Sequence, residues 1–84
     1  MYFMNSNFQV VQSLASANPN LEHLVLDESE SVGPNALKHL AQHCHDLLHL
    51  SLEGCLEVTD NSLVNLVTAC HKLQFLRSII QGFL

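Results

Sequence analysis

The stretch CHDLLHLSLEGCLEVTDNSLVNLVTA, residues 44–69, decides the fold. Its segment His49-Leu50-Ser51-Leu52-Glu53 alternates apolar with polar residues, which predicts a short strand over 49–53 with Leu50 and Leu52 turned inward. Gly54 lets the backbone turn. Thr59-Asp60 then offers an N-cap oxygen ahead of a helix over 61–69, whose Leu63, Leu66 and Val67 share one face at i, i+3 and i+4.

The same pattern stands 26 residues upstream, where Leu21, Leu24, Leu26, Val32, Leu37 and Leu40 answer to Leu47, Leu50, Leu52, Val58, Leu63 and Leu66. A fixed period of this length is the mark of a solenoid, in which one strand and one return helix cannot cover their own apolar face and must stack on a neighbour. The earlier copy, residues 18–43, has its strand over 21–26 and its helix over 35–41; Gly33-Pro34 replaces Thr59-Asp60, and proline suits a first helical turn. Phe8, Val11 and Leu14 align with Pro34, Leu37 and Leu40, so residues 8–17 read as the helix of a partial copy whose strand is missing, preceded by an N-terminal extension over 1–7. Residues 70–84 open a divergent third copy with Cys70-His71-Lys72-Leu73-Gln74-Phe75-Leu76, which places Ser78 in an inward slot and ends before a helix. The resulting fold class is α/β.

Composition bounds what such a stack can do. Three Lys and Arg against eight Asp and Glu give a formal charge of -5, which lacks the phosphate-neutralising charge that nucleic-acid binding requires. No apolar run reaches the length of a membrane span, and Met1-Tyr2-Phe3-Met4-Asn5-Ser6 has no secretory-signal pattern, so no membrane role is expected. A cytoplasmic protein is expected, with the nucleus as the alternative. Cys44, Cys55 and Cys70 fall at repeat-linked spacings and read as reduced, buried thiols, not as a disulfide framework.

Cys44, Leu47, Leu50, Leu52, Cys55, Val58, Thr59 and Asp60 spell C-x2-L-x2-L-x-L-x2-C-x2-[IV]-T-D, which resembles the cysteine-containing subtype of the leucine-rich repeat. The resemblance covers roughly residues 18–76. It implies a short right-handed leucine-rich-repeat solenoid with parallel strands on the concave side and helices on the convex side, and it places Cys55 where other such repeats use Asn to tie the turn. Many proteins of this kind are F-box subunits that select substrates for SCF ubiquitin ligases. The implied function is therefore protein–protein recognition in SCF-dependent ubiquitination. No F-box motif precedes the repeats in this sequence. That absence, the missing first strand and the unfinished last copy favour a second expectation: a non-catalytic assembly piece or fragment that stacks on another leucine-rich-repeat protein, or on itself, through open ends.

Other chemistry is weighed and set aside. His39 and His43 have the i, i+4 spacing of a helical metal pair, with Cys44 adjacent, but the carboxylate of the HExxH arrangement is lacking and Cys44 fills a repeat slot. His23 and His49 are accounted for by register, and the helix histidines read as solvated. No metal or cofactor is expected. Cys44 between His43 and His45 does not make a nucleophile with a base, because sequence neighbours point apart, so no enzyme is expected. Asp27-Glu28-Ser29-Glu30 reads as a solvated acidic loop in which only Asp27 matters.

With Leu24, Leu26, Leu50 and Leu52 inward, alternation sends His23, Val25 and Asp27 to the concave face beside His49, Ser51 and Glu53, with Phe75, Arg77 and Ile79 extending the columns. These residues, Ile79 apart, are the expected partner-binding set. Asp27 and Glu53 are expected side by side on strands about 4.8 Å apart, a like-charge pair that a partner's Lys or Arg would relieve.

Overall fold

The computed structural model describes residues 1–78. Three helices, α1 (Phe8–Ala17), α2 (Pro34–His43) and α3 (Asp60–Ala69), alternate with three strands, β1 (His23–Val25), β2 (His49–Ser51) and β3 (Phe75–Arg77). The strands form one parallel sheet in the order β1-β2-β3, so the fold is a small α/β arrangement. Parallel neighbours need a crossover, and each helix supplies one. The strands are shorter than the alternation in the sequence predicts.

The 26-residue period becomes strand register. His23 pairs with His49 and His49 with Phe75; Leu24, Leu50 and Leu76 form the next row. The helices start at residues 8, 34 and 60, so α1 packs on α2 and α2 on α3 in the same step. Leu24, Leu26, Leu50 and Leu52 from the sheet side meet Val11, Leu37, Leu40, Leu63 and Leu66 from the helices in one core, all with no or almost no exposure. Burial of each leucine contributes about 1.5–3 kcal/mol, which is how strands of three residues persist.

Local chemistry sets the helix ends. Asn7 Oδ1 accepts from Val10 N at 3.0 Å to open α1. At α3, Thr59 Oγ1 accepts from Ser62 N at 3.3 Å while Ser62 Oγ accepts from Thr59 N at 3.0 Å, a reciprocal capping box. Gly33 gives α2 no side-chain cap, and Pro34 stands at its first turn.

The thiols close the helix-to-strand corners. Cys70 Sγ donates to the Cys44 carbonyl at 3.2 Å, and Cys44 Sγ donates to the Asn18 carbonyl at 3.4 Å, each reaching back one full repeat. Cys55 Sγ donates to the Leu26 carbonyl at 3.2 Å, so it ties a turn in the preceding copy, the part that the resemblance assigns to it. All three are free thiols with no exposure, and burial pushes their pKa values up, that of Cys70 to about 11.

The missing first strand requires correction. Residues 1–5 lie along β1: Val25 N donates to Met1 O, Phe3 N to Val25 O and Asn5 N to Asp27 O, and Tyr2 bridges Val25 in parallel. The offset here is 23 residues, not 26. The three non-helical corners show the same count, because Asn5 (φ 57), Glu28 (φ 61) and Gly54 (φ 79) all take the left-handed conformation. Asn5 is thus the turn of the first copy, with three residues fewer between turn and helix than in the later copies. A search at 26 residues looks for this strand before Met1 and misses it. Asparagine tolerates the left-handed region; at Glu28 the same conformation is strained.

Two further readings change. The acidic loop is not uniformly solvated: Ser29 is fully buried in the slot that Cys55 occupies one repeat later, and its Oγ accepts from Ser6 N at 2.7 Å. His39 is half-buried, with its ring edge-on to Phe8 at 5.3 Å and stacked on His43 at 6.0 Å, because α1 lies against that face of α2. Among the described residues no helix is long and apolar enough to cross a membrane. Ile79 and the rest of the third copy beyond Ser78 lie outside the described residues.

Candidate functional site

In-register parallel strands bring the same side-chain position of each copy to one line across the sheet. On the outward face the first line is a column of rings. His49 stacks on Phe75 with centroids 4.3 Å apart and planes 17° from parallel, and His23 follows at 5.9 Å. Phe75 is 40% exposed, a large apolar ring on open surface. The Arg77 guanidinium carbon stands 5.7 Å from the Phe75 centroid, within cation–π range.

The second line is Val25, Ser51 and Arg77. Here the expected binding set loses a member, because Ser51 is only 4% exposed and is not available to a partner. Its Oγ donates to Asp27 Oδ1 at 2.6 Å, so the serine is spent on holding a carboxylate. Period-2 alternation decides which face a side chain takes, but not whether a neighbour covers it.

The third line, Asp27 and Glu53, also differs from the expected unrelieved charge pair. Asp27 Oδ1 accepts from Glu53 N at 3.0 Å as well as from Ser51, so the carboxylate is built into the turn. Glu53 Oε2 takes a hydrogen bond from Arg77 Nη1 at 3.2 Å. The cation expected from a partner is supplied by the chain itself, and with both side chains 55% exposed that ion pair is worth about 0–1 kcal/mol. It is weak enough to exchange.

His23, Val25, Asp27, His49, Glu53, Phe75 and Arg77 are therefore gathered on one face. Nothing on this face pairs a nucleophile with a base. Cys44 turns its sulfur to the Asn18 carbonyl, away from its flanking histidines, and His45 Nε2 lies 2.8 Å from the Ala41 carbonyl. Among the described residues no three His, Cys, Asp or Glu side chains gather to hold a metal ion. On the opposite side, a groove of about 510 Å³ between α2 and α3 is lined by Leu37, Lys38, Ala41, Asn61 and Asn65, with no acid–base pair among them. No family model matches the chain, and no curated protein matches it in sequence.

Proposed function

We propose that this chain is a short leucine-rich-repeat solenoid of the cysteine-containing subtype and acts as a protein–protein recognition module, non-catalytic, through the outward face of its sheet. The observation that carries the reading is the ring column His23, His49 and Phe75, set in register and left on open surface. Exposed aromatic area on a rigid scaffold is what protein interfaces concentrate, and binding energy there rests on a few such anchors. The residue pattern adds a pathway: substrate selection in SCF-dependent ubiquitination, in the cytoplasm or the nucleus.

A second reading, an assembly piece that stacks onto another leucine-rich-repeat protein, has its own support. Leu73 and Leu76 are partly exposed where their counterparts Leu47 and Leu50 have no exposure, so the β3 end of the core is the less covered one among the described residues.

Affinity capture of the tagged chain from cells separates these readings. The double variant His49→Ala, Phe75→Ala is expected to lose a reproducible set of proteins that Lys38→Glu and Asn65→Asp retain, and cullin-ligase subunits are expected in the retained set. Capture that survives the sheet-face double variant but fails with the helix-side variants would refute the binding face. A stoichiometric repeat-protein partner insensitive to both would favour the assembly reading.

A further inference from the structure

We infer that the partner of this face is a basic segment: an extended stretch with a bulky apolar side chain for the Phe75–His49 rings and Lys or Arg residues for the loops beyond them. The inference rests on the sheet-face reading and names the chemistry of its occupant. The argument is the placement of charge. Six of the eight carboxylates, Asp27, Glu28, Glu30, Glu53, Glu57 and Asp60, lie between the end of a strand and the first residue of the next helix; only Glu22 and Asp46 lie elsewhere. The loops that carry them are in contact. Glu53 N donates to Asp27, a Cβ placed on Gly54 would stand 2.8 Å from Glu28 Oε2, and one on Gly33 would stand 3.0 Å from Glu57 Cβ.

Against these six, the sheet face offers one cation, Arg77. Lys72 is paired with Asp46 at the opposite ends of the strands, and Lys38 is on α2. The whole formal charge of -5 thus resides at one rim, bordering the ring column. Helix dipoles account for Asp60 alone, the one acidic residue in a first helical turn. Such a rim raises the local concentration of cationic segments and suppresses acidic ones. The ring column and the carboxylates are separated by the run from His49 to Glu53, which is roughly 13 Å of extended chain. A partner strand carrying its apolar anchor and its basic cluster about four residues apart matches both rows. A partner arginine also competes with Arg77 for Glu53, since that bond is exposed.

The test uses the full chain and three fluorescent peptides in anisotropy titrations: Leu-Phe followed after a short Ser-Gly spacer by Arg-Lys-Arg, the same peptide with Glu-Asp-Glu, and the basic peptide with its Leu-Phe replaced by Ser-Ser. The first is expected to bind at least about tenfold more tightly than either other, and raising salt well above physiological strength is expected to weaken it about tenfold as the Debye length shrinks. Phe75→Ala and the pair Glu28→Gln, Glu57→Gln should each weaken it, the latter also flattening the salt dependence; circular dichroism shows whether each variant is folded. Equal binding of the acidic peptide, or binding of the basic one that is indifferent to Phe75, overturns the inference. If sheet-face variants still abolish cellular capture while the captured segments are acidic, the recognition function stands and this inference fails. Sedimentation showing the face occupied by a second copy overturns it as well.

Discussion

Cys44→Ala is the most informative single change, because this thiol belongs to the corner contacts that hold one copy to the next. The side chain has no exposure, and its sulfur lies 3.4 Å from the Asn18 carbonyl and 3.7 Å from that of Ala15. Removing one buried heavy atom costs about 0.8 kcal/mol of transfer energy and about 0.5 kcal/mol for the void left behind. Loss of the S–H donor adds about 0.5 kcal/mol, so the expected destabilisation is about 1.5–2 kcal/mol. A chain this short has a urea slope near the low end of the usual range, about 1 kcal/mol/M, so the unfolding midpoint should fall by about 1.5–2 M. Cys44→Ser sharpens the argument. The shorter C–O bond leaves the hydroxyl beyond the ~2.8 Å that an O–H···O bond prefers, so serine brings a poorly satisfied polar group into the core and should be less stable than alanine. Urea titrations followed by circular dichroism measure both. A midpoint unchanged by alanine, or serine more stable than alanine, would refute this account of the corner.

Three other outcomes follow from the same geometry. Thr59→Ala removes the acceptor for Ser62 N and half of the capping box, and thermal melts should show about 1 kcal/mol lost, with no comparable loss for Asn61→Ala on exposed surface. The thiol pKa values are raised in the fold, so the denatured chain ionises first as pH climbs. Stability is therefore full below about pH 9, falls from there and continues to fall toward about pH 11, where Cys70 titrates; a triple Cys→Ala variant should flatten that part of the curve. Deleting residues 1–5 strips the backbone bonds from the open edge of β1, and hydrogen exchange at Val25 should accelerate strongly while the amides of α3 change least.

How much was legible in advance depends on whether a signal was periodic. Leu50, Leu52, Leu63 and Leu66 recur at spacings tied to strand and helix, so core, element order and strand register could be read from residue identity alone; α1 was readable at its observed bounds from Phe8, Val11 and Leu14. The outward columns were readable for the same reason, since a period of two leaves a side chain only two faces. Contacts between copies decided the rest. Residues 1–5 join the sheet through backbone bonds, which need no particular side chain, and their one sequence trace is the turn residue Asn5. Ser51 is lost to a partner and Glu53 gains a cation because Asp27 and Arg77 reach across from neighbouring strands, a distance of 24 residues along the chain in each case. The sequence by itself determined which residues point in, because burial of apolar surface follows a local period. Only the tertiary structure decided which outward residues remain free, because covering and charge pairing depend on neighbours that the chain brings together by folding.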